Sequence, residues 1–558
     1  MQVKLTALIK EALAEGVKRG DLKSGADIPI VLNIPPQKEH GDYATPLALS
    51  LAKREGVPPR NLASLLVSIL HQLPISSQFI EKIEVAGQGY INFFIKKEVG
   101  HGHLLEILKK GSEYGKTNIF AGKKILIEFV SANPTGPLHL AHGRAAALGD
   151  AMTRLLRAVG YQVDQEYYIN DVGNQMSLLG QSTYLRYREL FGDKINLPDE
   201  AYKGDYIIDI AKEMKETSGA AAQRRGKTED EILFFTQYSY KKILSLNKEA
   251  LESFGVHFDT WFSESALHRH QDNKISEVIL LLREKGVVYD ADSAVWVATT
   301  RYGDDKDRVI KRSNGELTYF ASDIAYHKNK FERGYDRLID IWGADHHGYI
   351  ARVKAAVSAM GYAPERLDIV IHQLVNLLRD AKPVAMSKRS GEFVTLKAVI
   401  EEVGVDATRF FFLMRRSDTS LDFDLEIAKK SSDENPVYYV QYAHTRMCSI
   451  IRVAKERGIS VENEADVSAL TLPEEMELIT QLSSYPDLIK MASARLEPHR
   501  INYFLLELSG MAHRYYYKYR VVTEDAALTK ARLALVSAIA IVLKSALNLL
   551  GVSAPERM

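Results

Sequence analysis

Leu5, Leu8, Ile9, Ala12 and Leu13 recur on one helical face within the first 20 residues, with charged positions between them. That spacing predicts an opening amphipathic helix. Ile28–Ile34 then reads as a strand closed by Pro35-Pro36, and Thr45–Arg54 and Asn61–Leu73 as two short helices. Phe79–Ile95 has strand character with a hairpin turn at Gly87-Gln88-Gly89. Helices and strands follow each other here without a phosphate loop, which predicts a small α+β domain over residues 1–115.

From Lys123 the pattern changes to short apolar runs alternating with helical stretches, as in a mainly parallel sheet of nucleotide-binding type. Lys124–Val130 is rich in β-branched and apolar residues, as a strand buried on both faces requires. Tyr161–Ile169, Ala294–Thr299, Arg337–Trp342 and Leu367–His372 are predicted as further strands. A charged helical stretch at about 190–255 reads as an insertion, and about 390–425 as a connecting stem. After Pro436 the spacing is helical, over Tyr438–Lys455, Glu474–Ala494, His499–Tyr519 and Ala527–Leu550. The reading is a multidomain α/β chain with a Rossmann-like domain at 116–425 and an all-α bundle at 426–558.

Composition narrows the partners. Lys and Arg total 72 against 72 Asp and Glu, so no global field selects nucleic acid or membrane, although a local basic surface remains compatible with nucleic acid. Cys448 is the single cysteine, which excludes an intramolecular disulfide framework and a multi-thiolate zinc site. The charged N-terminal helix is unlike a signal sequence, and the apolar stretch Ala534–Val542 is too short to span a bilayer. A soluble cytoplasmic protein with no membrane partner and no resident metal is expected.

The richest stretch chemically is Ser131–Arg144, a Pro/Gly loop between the Lys124 strand and a helix running to Val159. Backbone N–H groups and the positive dipole end make such a helix start an anion site. His139 and His142 share one face there. Taken alone, the pair also fits metal ligation, which needs a third ligand, or simple capping. A second loop, Met386-Ser387-Lys388-Arg389-Ser390-Gly391-Glu392, presents two cations suited to a triphosphate, or merely to water.

Together the two loops are specific. Asn133-Pro134-Thr135-Gly136-Pro137-Leu138-His139-Leu140-Ala141-His142 resembles the HIGH motif of class I aminoacyl-tRNA synthetases, and Ala385-Met386-Ser387-Lys388-Arg389 resembles their KMSK loop. Further segments resemble the arginyl-tRNA synthetase family: Glu128–Pro137, Tyr319–Asp323, Trp342–His347, Asp406-Ala407-Thr408-Arg409, Gln441–Arg446, Leu550–Met558 and, near the start, Gly41-Asp42-Tyr43-Ala44. The resemblance spans nearly the whole chain. It implies attachment of L-arginine to tRNA(Arg) through an arginyl-adenylate, with MgATP as substrate, by a monomeric enzyme that in this family commonly binds tRNA before activating arginine.

The resemblance also implies roles. His139, His142 and Lys388 would act on the phosphates. Pro134, Gly136, Gly143, Gly343, Asp345, His346, Met386, Ser387 and Arg389 would bind ATP. Glu128, Ser131, Asn133, Glu264, Tyr319 and Asp323 would bind arginine. A guanidinium is a planar, permanently charged fork, so carboxylates suit its pocket. Tyr319 and Asp323, four apart, share one helical face, although without the resemblance they would read as a surface pair. Tyr43, Gln441, Tyr442, His444, Arg446, Tyr516, Arg520 and Met558 would contact tRNA. The cluster His513–Arg520 mixes rings and cations, as unpaired bases and their phosphates require.

The sequence departs from the class pattern at two places and, mildly, at a third. Ala385 stands at the first lysine of the loop motif, Gly136 where some arginine enzymes carry a substitute lysine, and Leu140-Ala141 in place of Ile-Gly. Two other readings stay open on sequence: a class I synthetase for another amino acid, and a non-catalytic RNA-binding relative.

Overall fold

Five parallel strands form the central sheet in the order Leu367–His372, Arg337–Gly343, Lys124–Glu128, Gln162–Ile169, Thr260–Ser263. The chain starts in the middle, winds out to one side, then returns to build the other. Winding therefore reverses between Lys124–Glu128 and Arg337–Gly343, which opens a crevice beyond the strands' carboxyl ends. Ile125, Leu126 and Ile127 are buried in that central strand. The helix Leu140–Ala158 lies across the sheet with small residues such as Ala146, Ala147 and Ala151 buried. The structure is a computed structural model, and it describes residues 1–23, 29–33, 35, 37–223, 229–268, 273–384, 394–460 and 465–558.

Two strands differ from expectation. Thr260–Ser263 joins the sheet edge although its four half-buried residues gave no period to read. Ala294–Val297 is a strand, but of a separate antiparallel sheet with Val288–Ala291 and Arg308–Lys311. Asp292 and Ser293 hold φ of 53° and 59°, a tight turn that sends the chain straight back onto its predecessor. The helical insertion begins earlier than 190. Asn174–Glu189, Asp205–Gln223 and Glu229–Ser253 bury Leu179, Ile207, Phe235 and Ile243 in a core of their own.

At the N-terminus three helices cover a sheet of Tyr43–Thr45, Tyr90–Ile95 and Ile80–Ala86. Of the strand expected at 28–34, the described part contributes an isolated bridge from Asn33 to Ala44. From Leu104 onward the segment 97–115 packs on the main core instead: Tyr114 donates to the Leu482 carbonyl (3.4 Å) and stacks on Tyr485 of the bundle.

The bundle comprises Pro436–Glu456, Pro473–Arg495, His499–Lys518 and Ala526–Leu549. The last helix as a whole, unlike its Ala534–Val542 stretch, is long and apolar enough by length and composition to cross a membrane. Here 67% of its apolar window is buried inside the protein. A fully buried arginine joins bundle to sheet. Arg409, on Val405–Leu413, pairs with Asp150 of the Leu140–Ala158 helix and donates to the carbonyls of Leu550 (2.9 Å) and Phe254 (3.1 Å).

Candidate active site

The loop that follows the central strand is strained at its first corner. Val130 and Ser131 hold φ of 69° and 39°, a left-handed pair that is costly for a β-branched residue. Ser131 is tethered there, donating its hydroxyl to Glu128 Oε1 (2.8 Å) and accepting from the Tyr168 amide (3.1 Å). Farther along, Tyr206 donates to the Thr135 carbonyl (2.7 Å) and Asn247 to that of Gly136 (3.3 Å), so the helical insertion braces the loop. Pro134 is buried and Asn133 is exposed, its amide donating to Gln175 Oε1 (2.8 Å).

His139 caps the helix with extended backbone, and His142 Nδ1 accepts from the His139 amide (3.3 Å). Their rings stack with centroids 3.7 Å apart. An Nδ1 engaged as acceptor places the proton of neutral His142 on Nε2, which is then a donor. Gly143 does not clear space for a nucleotide. A Cβ there would lie 2.6 Å from Leu396 Cδ1 and 2.9 Å from Phe412 Cε2, so its missing side chain lets the helix pack.

The second loop's cations fall outside the described residues: Ala385, Met386, Ser387, Lys388 and Arg389 all do. The chain on either side is placed. Lys382–Pro383 pairs back on Leu378–Arg379. On the far side Thr395 bridges His139, and the Leu396 amide donates to the Leu138 carbonyl (2.8 Å). The exit of that segment is thus fastened to the histidine helix.

Across the winding reversal lies the Arg337–Gly343 strand, and Asp345 and His346 are exposed in the turn beyond it. A Cβ on Gly343 would come 2.6 Å from Asp345 Oδ1, so glycine leaves room for that carboxylate. His372, at the end of the neighbouring strand, is buried and its pKa is pushed down to about 4 by burial and by Arg144. Arg144, also buried, donates to the carbonyls of Gln373 and Arg416 (2.9 Å each) and so ties that strand's exit to the histidine helix. Neither residue is assigned a role from sequence, because the contacts of Arg144 are made with backbone far along the chain and His372 is set by burial and by that arginine.

The acidic pocket lies on the other side of the central strand. Tyr319 is 61% exposed at the start of the helix Tyr319–Glu332, and Asp323 follows one turn later, half-buried. Tyr349 donates its hydroxyl to Asp323 Oδ2 (2.6 Å). Burial pushes the Asp323 carboxyl pKa up, and the charges of Glu264 and Glu128 add to this. Glu264 is buried directly after the edge strand Thr260–Ser263, with His268 Nε2 3.6 Å from its Oε1. The site therefore offers an anion-binding helix start and a carboxylate pocket along one edge of one sheet.

Several expected tRNA contacts are interior. Tyr43 is 4% exposed, its strand paired with Phe93 and its ring in the N-terminal core. Gln441 is buried and donates to Asp406 Oδ2 (2.8 Å) and the Ser553 carbonyl (3.0 Å). His444, 1% exposed, hydrogen-bonds through Nδ1 to the Pro555 carbonyl (2.8 Å). These side chains hold the fold together, Tyr43 turned inward by its strand pairing and Gln441 and His444 by helix packing. Tyr442, Arg446, Tyr516 and Arg520 remain accessible. Arg446 lies over Tyr516 (4.3 Å) and Tyr442 (5.1 Å). It lines a cleft of about 360 Å³ with Arg457, Tyr516, Tyr519 and Arg520.

Comparison with known proteins matches three successive parts of the chain. Residues 4–95 match the arginyl tRNA synthetase N-terminal domain, 103–429 the catalytic domain of class I (R) tRNA synthetases, and 440–558 the DALR anticodon binding domain. Arginine–tRNA ligases of Syntrophotalea carbinolica and Citrifermentans bemidjiense are each 50% identical, with 100% of both chains covered. In fold the chain is similar to Thermus thermophilus arginyl-tRNA synthetase, with a TM-score of 0.77 and 24% identity over 99% of each chain.

Proposed function

The chain belongs to the arginyl-tRNA synthetase family, and on that premise we propose how its own residues divide the work of charging tRNA(Arg) with L-arginine. The reaction has two steps. The arginine carboxylate attacks the α-phosphorus of ATP in line, giving arginyl-adenylate and pyrophosphate. The terminal ribose hydroxyl of tRNA then attacks the adenylate carbonyl, and AMP leaves. Catalysis rests on positioning and charge stabilisation, with no protein nucleophile.

Arginine's guanidinium is assigned to Asp323, with Tyr319 and Glu264 beside it, and its amino end to Asn133 and the negative charge of Glu128. ATP lies across the winding reversal, its ribose toward Asp345 and its base side toward Gly343 and His346. The His142 Nε2–H and His139 meet the phosphates at the helix start, where the dipole adds to them. Lys388 and Arg389, with Met386 and Ser387, are assigned to the departing pyrophosphate. Mg²⁺ arrives with ATP, held by phosphates and water. The Arg446–Tyr516–Arg520 cleft, with Tyr442 nearby, is assigned to unstacked bases of the tRNA, and exposed Met558 to the same partner.

One observation carries this reading. Asp323, aimed by Tyr349 and beside buried Glu264, lies along the same sheet edge as the paired histidines. A guanidinium and a phosphate thereby find opposite fields at one edge of one sheet. The single cysteine and the burial of Ala526–Leu549 support a cytoplasmic protein without a membrane partner. Charging assays with each of the twenty amino acids, with and without tRNA(Arg), test it. Arginine alone should be transferred, and acceptance of another amino acid would overturn the pocket assignment.

A further inference from the structure

Glu128, Asp340 and Glu166 stand in one row across three neighbouring strands, by the register Asp340↔Glu128↔Glu166. All three carboxylates are buried. The helix Tyr319–Glu332 and the residue after it answer them with a row of cationic or donor groups. His327 Nε2 lies 3.0 Å from Asp340 Oδ2. Lys330 Nζ pairs with Glu128 Oε2 and, at 2.7 Å, with Asp340 Oδ1. Arg333 makes a fork to Glu166 (2.6 and 2.8 Å), which also accepts from Tyr326 (2.7 Å).

Lys330 is 0% exposed and occupies the middle of this arrangement. Burial works against its charge, and Asp340, Glu128 and Glu166 outweigh that and keep it protonated. Its own helix and its partner Glu128 lead to different ends of the amino-acid site. Seven residues earlier on the same helix is Asp323, assigned to the guanidinium. Through Glu128 comes the Ser131 hydroxyl, which tethers the left-handed Val130–Ser131 corner ahead of Asn133. That corner needs a tether, because a valine at positive φ relaxes to other conformations when released.

We propose that Lys330 is a positioning residue that sets the separation between the two ends of the arginine site, and so selects the length of the amino acid's side chain. It acts through Glu128 and Ser131 on the Asn133 loop, and through its own helix on Asp323. The proposal rests on the assignment of Asn133 and Asp323 to the two ends of arginine. A site of fixed span rejects a substrate one methylene longer with the same guanidinium, and a loosened span accepts it.

The test compares arginine with homoarginine in tRNA charging by the full-length protein. Wild type should favour arginine, and Lys330→Gln and Ser131→Ala should each lower the arginine-to-homoarginine ratio of kcat/KM by about fivefold or more. The loss should lie mainly in arginine KM, with ATP KM within about twofold of wild type. Ser131→Ala leaves the buried ion pairs in place, so should Lys330→Gln fail to fold it still tests the tether through which Lys330 is proposed to act. Equal losses for both amino acids, an unchanged ratio in Ser131→Ala, or no preference in wild type would each overturn the proposal. Asn133→Ala and Asp323→Asn separate the two levels of the argument. If neither raises arginine KM, the assignment of the site falls and the proposal with it. If both do while the ratio stays fixed in the Lys330 and Ser131 variants, the role of Lys330 alone falls.

Discussion

Tyr349 donates its hydroxyl to Asp323 at 2.6 Å, joining the turn after the Arg337–Gly343 strand to the helix that follows the small antiparallel sheet. The carboxylate assigned to the guanidinium is therefore aimed by the segment that borders the ATP side. Tyr349→Phe removes that donor, together with the hydroxyl's contact to Arg352, and keeps the ring beneath Arg352. A hydrogen bond to a charged group contributes about 1.5–3 kcal/mol, so arginine KM should rise about tenfold while ATP KM stays near wild type. Separate titrations of the two substrates check this.

Asp323 also gives a pH dependence. Burial, with Glu264 and Glu128, raises its pKa above the ordinary carboxylate value, so the free pocket keeps its proton to higher pH than an exposed aspartate. Guanidinium binds the ionised form. As pH falls through that raised pKa, arginine must displace a proton and its affinity drops, by up to about tenfold per pH unit. The same sign makes the free protein lose Asp323's contribution to stability as pH rises through that pKa. Arginine KM measured across pH should show the acid limb in wild type, and Asp323→Asn should flatten it while raising KM overall.

His142→Ala removes both the acceptor for the His139 amide and an Nε2 donor. Loss of an electrostatic donor costs about 10²-fold or more in rate, and loss of a helix cap about 1 kcal/mol in stability. Lys388→Ala should show a rate loss of similar size. ATP–pyrophosphate exchange and melting curves separate the two effects. Rates within about threefold of wild type would remove these residues from the phosphate site.

Gly551 holds φ +66°, and a Cβ there would lie 2.2 Å from Arg409 Nη2. Gly551→Ala should push the guanidinium off Asp150 and the Leu550 carbonyl. A buried pair broken from one side costs about 3–5 kcal/mol, and backbone strain adds to it. Denaturant melts should show the loss, and since Asp150 lies on the histidine helix, charging should fall with it.

Arg446→Ala should weaken tRNA binding without changing arginine or ATP KM. It removes a cation stacked on Tyr516 and Tyr442, and ring or cation stacking on a base is worth about 1–3 kcal/mol. The tRNA KM and its salt dependence are the measurements.

What the sequence determined by itself was local and periodic. Apolar runs marked Gln162–Ile169, Arg337–Gly343 and Leu367–His372 closely, and helical spacing marked all four bundle helices, because each element buries one face and must repeat it. The Pro/Gly loop before His139 and His142 marked a helix start by itself, whereas Asp323 and Asp345 stood out only through the family resemblance of their segments. Only the tertiary structure decided which residues face one another. Tyr43, Gln441 and His444 lie inside, because burial of a polar side chain depends on a partner far along the chain, as Gln441 depends on Asp406 and Ser553. Ala294–Val297 left the parallel sheet because a two-residue turn fixed its neighbour. Lys330 and Tyr349 carry no motif at all. Their importance comes from carboxylates that strand register and helix packing bring to them, and neither is written in any short stretch of sequence.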